Sequence, residues 1–405
     1  MKGLHEPRRR FAAIFAATAM AGVAAAASIN WLMDPYGIFG SATLPGLNAL
    51  KPRPDVMVAE IKYILGKRTR PTALIVGDSR AEIGFDPENE VFQGRGLRAF
   101  NAAVPGAPIE YAATTVARFL TFGDIRVVVV GLEFLDFLRQ PSQESVDHSL
   151  SEAHARLLGL FSSTALLDSA RTLLIQRQRN PATLSADGFN PMLDYRDIAA
   201  TEGYSVLFRQ RAQESARTLA REPHSLYVGA ARASPAYAAL SSILQTAGQK
   251  HIDLRLVIYP YHVVLMSQLK EAGLWDLFEQ WKADVAILAA EARKSGTQVS
   301  VWDFGCPDRY TAERVPADDD RSTTMRWYWE AGHFKKELGD VVLQTVFGSV
   351  QANRTDGFGL ELTPANVADR NQVCSAALVR DAALPTQTQS RHSTAANRRR
   401  QAAGS

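Results

Sequence analysis

A serine that could act as a nucleophile stands at Gly77-Asp78-Ser79-Arg80, directly after the apolar run Ala73-Leu-Ile-Val76 and before Ala81-Glu82-Ile83. A serine at a strand-to-helix turn lifts its hydroxyl above the carboxyl edge of a sheet, where open α/β sheets hold their ligands. The bland reading of the same residues is a turn whose serine caps the next helix. A serine of this kind needs a base, and Trp327-Tyr-Trp-Glu330-Ala-Gly-His333-Phe334 supplies one. Glu330 and His333 are three positions apart, so on a helical turn they share a face, and the carboxylate can fix the imidazole tautomer that accepts the serine proton. The chain has eight histidines, so an acid near one of them is also a common accident, and a satisfied surface histidine is the plain alternative. His262, in Tyr259-Pro-Tyr-His262 at the end of an apolar run, is a second candidate base and ranks below His333 as a pocket residue.

Elements able to position these residues follow from periodicity. Short, mostly apolar runs at Ala73–Val76, Arg98–Asn101, Arg126–Val130, Leu254–Tyr259 and Gln298–Trp302 suit strands buried on both faces. Helical patterns at Ile109–Phe122, Pro235–Gln249 and Leu274–Ser295 alternate with them, and Lys335–Phe347 adds a last helix. This alternation predicts an α/β fold with a three-layer, doubly wound parallel sheet. Residues 139–249, partly helical, read as an insertion in the domain at 55–364, whose first helix is expected near Asp55–Leu65. Residues 34–54, rich in proline, glycine and small residues, read as a linker. Residues 365–405 show no clear periodicity and end polar and basic, which reads as a disordered tail.

Phe11–Met33 contains no charged residue and follows Lys2, Arg8, Arg9 and Arg10. At about 1.5 Å per residue such a helix matches a hydrocarbon core of roughly 30 Å, and the basic segment 1–10 should stay cytoplasmic. Residues 11–33 then form a signal-anchor that puts the rest of the chain outside the membrane. A cleaved signal peptide is the alternative, since Ala24–Ala27 offers small residues to a peptidase. The anchor is preferred because the apolar run continues through Ile29, Trp31, Leu32 and Met33.

The chain has 405 residues, 46% of them hydrophobic and 21% charged, with a formal charge of +3 concentrated toward the two ends. That balance argues against nucleic-acid binding. Cys306 and Cys374 are the only cysteines; one bridge between them is possible, but no disulfide framework and no Cys/His spacing for structural zinc exists. No metal or cofactor is implied.

Gly77-Asp-Ser79 near the start and acid-x-x-His near the end resemble the first and last sequence blocks of the SGNH (GDSL-like) hydrolase superfamily, over roughly Ala73 to Gly348. Asn101-Ala-Ala-Val-Pro-Gly106 resembles the second block, whose glycine donates to an oxyanion hole, and Gly131-Leu-Glu133-Phe134 falls where the third block belongs. The anchor, Asp34-Pro-Tyr-Gly37 and the Trp-Glu-x-x-His-Phe run are similar to membrane-anchored periplasmic members related to alginate O-acetylation proteins. The resemblance implies Ser79 as nucleophile, His333 as base and Glu330 as its orienting acid. Asn101, Gly106, Glu133, Arg80 and His262 would surround the oxyanion and substrate. It further implies a serine esterase or O-acyltransferase working on acyl groups of an envelope or exported polysaccharide. The main domain would lie in the periplasm, held to the inner membrane by a single pass, with other polysaccharide-modification proteins as possible partners. A non-catalytic carbohydrate-binding or assembly subunit is the alternative.

Two departures bear on this. Glutamate replaces the usual aspartate at position 330. At position 133 glutamate stands for an asparagine, and an ionised carboxylate cannot donate to an oxyanion. Glu133 is then protonated by burial, turned elsewhere as a strand-end residue salt-bridged to Arg80, or the mark of an incomplete hole. Trp327, Tyr328 and Trp329 could stack on sugar rings, with core packing expected for at least two of them.

Overall fold

The computed structural model describes residues 5–138, 151–220, 224–227, 234–348 and 357–382. These fall into two compact units: an anchor unit within Met1–Thr69 and Val146–Asp194, and a sheet unit within Arg70–Ser145 and Tyr195–Ser405. In chain order the elements begin with α1 (His5–Met33) and α2 (Val58–Thr69). Next come β1 (Ala73–Val76), α3 (Ser79–Gly84), α4 (Glu90–Gln93), β2 (Ala99–Asn101), α5 (Ile109–Phe119) and β3 (Val127–Leu132). The middle of the chain forms α6 (Glu152–Phe161), α7 (Ser163–Ile175), α8 (Tyr195–Glu202), α9 (Tyr204–Leu219) and α10 (Pro235–Lys250). It continues as β4 (Asp253–Ile258), α11 (Val263–Glu271), α12 (Trp275–Lys294) and β5 (Val299–Asp303). The last elements are β6 (Tyr328–Glu330), β7 (His333–Phe334), α13 (Lys336–Val346), β8 (Leu360–Glu361) and α14 (Val367–Ala382).

The sheet unit is mixed α/β around a largely parallel sheet of order β2-β1-β3-β4-β5-β8, in which β1 to β5 pair in parallel and β8 adds an antiparallel edge. β1 and β3 are buried along their whole length, which is why they read as unbroken apolar runs. Val130 pairs with Val76 on one side and Leu256 on the other. The chain leaves β1 toward β2 on one flank and then crosses to β3 on the opposite flank. The carboxyl end of β1, where α3 starts at Ser79, is therefore the point at which the strand order reverses.

The sheet unit starts at Arg70, so α2 lies with the anchor unit and the boundary drawn at residue 55 is displaced. The segment 34–54 is also not an open linker. The buried Asp34 carboxylate accepts from the amides of Phe39, Gly40 and Ser41, and the buried Asn48 side chain bonds Leu44 N, Leu32 O and Ala42 O. Small and polar residues here build turns around buried carboxylate and amide groups, a use of composition that a linker shares. The 139–249 insertion is likewise not one element. Residues 151–194 belong to the anchor unit, whereas α8, α9 and α10 belong to the sheet unit.

Residues expected as the start of a disordered tail instead form α14. Its Arg370 Nε donates at 3.1 Å to Asp303 Oδ2, which also pairs with the fully buried Lys282. Cys374 is bridged to Cys306 across 68 residues, a closure worth about 4 kcal/mol in the chain-entropy account. Val367, Cys374, Ala377 and Leu378 are buried along one face of the helix, and exposed Val373 and Val379 on the other side blur that stripe in the sequence. The rest of the expected tail, 383–405, lies outside the described residues, as do 1–4 of the basic flank and 139–150 of the insertion.

α1 is long and apolar enough to cross a membrane over Arg8–Met33.

Candidate functional site

Ser79 owes its place to the turn beneath it. Gly77 has φ +148°, and a side chain there would meet the Tyr259 hydroxyl and the Ala81 Cβ, so the strand can leave the sheet this closely only through glycine. Asp78, not Ser79, is the N-cap: its Oδ1 accepts from Arg80 N at 2.9 Å. Ser79 is thus the first helical residue, and its Oγ engages a side chain from the far end of the unit. It lies 2.8 Å from His333 Nε2, a residue 254 positions later.

His333 and Glu330 come together differently from the helical turn expected of them. They are a cross-strand pair in the β6–β7 hairpin, closed by Ala331 and Gly332. Directly opposed residues of a hairpin share a face, so the same three-residue offset yields contact without a helix. Glu330 Oε1 accepts from His333 Nδ1, and its other oxygen accepts from Gly332 N at 2.7 Å and from Arg211 Nε at 3.1 Å. With Nδ1–H committed to the carboxylate, Nε2 has its lone pair toward the Ser79 hydroxyl, which is the tautomer a base requires. Burial alone would raise the Glu330 carboxyl. The His333 ring, Arg211 and the Gly332 amide outweigh it and bring the group down to about 2.

Arg211, on α9, is a site residue that the sequence did not single out. Its Nη2 lies 2.9 Å from His333 Nδ1, and since that nitrogen's proton faces Glu330, the approach is a charge-to-ring contact rather than a second hydrogen bond. Nη1 pairs with Glu214 at 3.1 Å. It stands among Arg209 and Arg217 on a polar helix, and no local pattern separates it from them.

The remaining expected site residues divide. Arg80 and Glu133 form an ion pair, and Arg80 Nη1 also reaches Asp78 Oδ2 at 2.8 Å. The second Glu133 oxygen accepts from the Tyr261 hydroxyl at 2.9 Å and from Leu135 N at 3.1 Å. Of the three readings of Glu133, the strand-end residue salt-bridged to Arg80 is the one observed. Asn101, expected near the oxyanion, is fully buried. Its Nδ2 donates to the carbonyls of Ala81, Glu82 and Phe85 and so closes the end of α3. That amide has no proton to offer a substrate, because the orphan carbonyls of a short helix have claimed it.

Gly106 lies in the loop after β2 with φ +68° and open space where a side chain would stand. Val104 N donates to Gly77 O at 3.1 Å, which ties this loop to the turn before Ser79. His262 is not a base in contact with Ser79. It is buried, its Nδ1 caps α11 by accepting from Val264 N, and its Nε2–H donates to Glu313 O at 2.9 Å. Phe208 and Tyr328 contact it edge-on, and burial drops its pKa to about 4, so it is neutral. Of the three aromatic residues before Glu330, Tyr328 and Trp329 are buried, and Trp329 carries Lys335 Nζ at 4.2 Å over its ring. Trp327 is half-buried against Tyr310 and Arg326.

Compared with protein-family models and with curated proteins, the chain matches none.

Proposed function

We propose that this protein is a serine ester hydrolase or O-acyltransferase of the SGNH type. The carrying observation is the relay of Ser79 Oγ to His333 Nε2 at 2.8 Å with Glu330 on Nδ1. Ser79 Oγ would attack the acyl carbonyl while its proton moves to His333 Nε2. Glu330 stabilises the imidazolium formed. The oxyanion would be met by the backbone N–H groups of Ser79, unpaired as the first helical residue, and of Gly106. His333 then protonates the departing alkoxide, leaving acyl-Ser79, and next deprotonates water or a sugar hydroxyl that takes the acyl group.

Acyl groups on an envelope polysaccharide are the proposed substrate, by the sequence resemblance. α1 as a single inner-membrane anchor with the sheet unit in the periplasm fits the basic residues ahead of it, and the Cys306–Cys374 bridge supports an oxidising compartment. A non-catalytic carbohydrate-binding or assembly subunit is the second reading. On its side stands Glu133, which offers no side-chain donor where the resemblance places an asparagine.

Purified full-length protein in detergent, given p-nitrophenyl acetate, should release p-nitrophenol, with the release abolished in both Ser79→Ala and His333→Ala. Mass spectrometry should find the acetyl group on Ser79. Turnover that persists in Ser79→Ala would overturn Ser79 as the nucleophile, and wild-type protein without turnover or adduct on acetylated glycans as well would move the assignment to the second reading.

A further inference from the structure

α7 is built inside out. Three of its five buried residues, Asp168, Ser169 and Thr172, are polar beside Ala165 and Ile175, whereas Leu167, Leu173 and Leu174 are 72%, 49% and 67% exposed. A helix packed against a protein core in water shows the reverse order, apolar inward and polar outward. The buried polar groups here are satisfied: the Tyr36 hydroxyl donates to Asp168 Oδ2 at 2.7 Å, and Ser169 Oγ donates to Asn30 Oδ1 at 2.9 Å. Thr172 Oγ1 donates to Asp168 O at 2.7 Å. Hydrogen-bonded polar residues inside and leucines outside is the arrangement favoured where the surrounding solvent is hydrocarbon. α6 continues the exposed apolar face with Leu157 and Phe161, and Ser162 both ends α6 and caps α7, so a single residue joins the two.

The neighbour of this face names its occupant. The C-terminal turns of α1 pack on both α6 and α7, and Asn30, buried near the end of α1, donates to Leu160 O at 2.8 Å. The rest of α1, from Phe11 through Val23, presents exposed apolar side chains over a membrane-spanning length. The leucine face is therefore continuous with the apolar span at the end where the span finishes. With 10 and 13 residues, α6 and α7 reach only about 15 and 20 Å, short of the roughly 30 Å needed to cross. Polar groups mark the limits of the face: Arg171 is half-exposed beside Asp55, and exposed Arg177 and Arg179 follow α7.

We propose that the α6–α7 pair is seated in one leaflet of the lipid bilayer beside α1, with Leu167, Leu173 and Leu174 among the acyl chains. Arg177 and Arg179 then meet lipid phosphates at the surface. The anchor is thereby a three-helix membrane footing rather than a single tether.

The full chain, reconstituted in phosphatidylcholine vesicles containing phosphatidylglycerol, tests this by spin labelling. Nitroxides are placed at Leu167→Cys, Leu173→Cys and Leu174→Cys, with Ile287→Cys in the sheet unit as the water-facing reference; Cys306 and Cys374 are bridged and do not react. The labels on α7 should collide preferentially with oxygen over a water-soluble nickel chelate, by about tenfold relative to Ile287→Cys, because oxygen concentrates in hydrocarbon and the chelate does not enter it. A ratio equal to that of Ile287→Cys would show a solvated face and end the proposal. Exclusion of both reagents would also overturn it, since the face would then be covered by protein rather than lipid. Three separate label positions, each already exposed, keep the outcome independent of any one variant that misfolds.

Discussion

Gly339 of α13 rests directly on the carbonyl of Gly84 at the end of α3: a Cβ on Gly339 would overlap the Gly84 oxygen, and one on Gly84 would overlap the Phe334 ring. This bare contact sets the distance between the helix that starts at Ser79 and the hairpin that ends in His333. Gly339→Ala must push α13 away from α3, and overpacking of this kind costs about 1–3 kcal/mol. The expected result is a lower urea midpoint together with at least about a hundredfold loss of ester hydrolysis, since small misplacements of reacting groups weigh heavily on rate. A crystal structure or hydrogen-exchange comparison that finds Ser79 and His333 undisturbed in an active Gly339→Ala protein would remove this contact from the account.

Glu330 is held by three donors, of which only His333 Nδ1 concerns the proton transfer. Glu330→Gln keeps the shape and leaves Gly332 N and Arg211 Nε an oxygen to bind, but it no longer favours the Nδ1–H tautomer or the imidazolium. The expected effect is a fall in kcat of about 10³-fold with KM little changed, because the lost interaction grows only in the transition state. Steady-state kinetics on p-nitrophenyl acetate read this directly. A loss confined to KM would assign Glu330 to substrate binding instead.

How much of this was legible depended on the range of the interaction. β1 was readable to the residue because four apolar positions buried on both faces leave an unbroken run, and Ser79 followed from its position at the end of that run. The pairing of Glu330 with His333 was also readable, since a three-residue offset brings side chains together on a helix and across a tight hairpin alike. The hairpin itself was not, because Tyr328–Glu330 and His333–Phe334 are too short to show period-two alternation. Arg211 and Asn101 were beyond local reading: one reaches Glu330 from 119 positions away, and the other gives its amide to carbonyls of α3, contacts that only the folded topology creates. α14 was missed because its buried stripe of Val367, Cys374, Ala377 and Leu378 is made largely of small residues and is masked by exposed Val373 and Val379, while Arg370 and the disulfide act over long range.

Glu133 and Arg80 test whether this corner of the site is structural or binds substrate. The Arg80 guanidinium faces two carboxylates and lies 5.3 Å from the Tyr261 ring, all in partly or fully buried surroundings. Arg80→Ala removes the cation and leaves Asp78 and Glu133 as uncompensated buried charges, which should destabilise the protein by about 3–5 kcal/mol in urea unfolding. Glu133→Gln in the Arg80→Ala background should recover part of that loss by removing one charge. A loss under about 1 kcal/mol for Arg80→Ala, with a raised KM, would place Arg80 on the substrate instead.

His262 gives the protein a pH dependence of stability in a range distinct from that of Glu330. Its pKa falls from an ordinary value near 6.5 to about 4 because burial disfavours the charged ring, so the unfolded chain binds the proton more readily than the folded one. A group depressed in this way contributes its full stability above pH 6.5, and that contribution is lost as pH falls toward 4. The shift amounts to about 3 kcal/mol across this window. Glu330 acts in a separate range, since its own depressed carboxyl supports the fold above about pH 4.5 and gives way only as pH approaches about 2. His262→Asn can still cap α11 through its side-chain oxygen but cannot titrate. Thermal unfolding from pH 7 to 4.5 should therefore show a steep decline in Tm for the wild type and a shallower one for His262→Asn, from a lower starting Tm because the Glu313 hydrogen bond is lost. Parallel curves for the two proteins would mean that His262 binds its proton equally well folded and unfolded, and that burial does not hold the ring neutral.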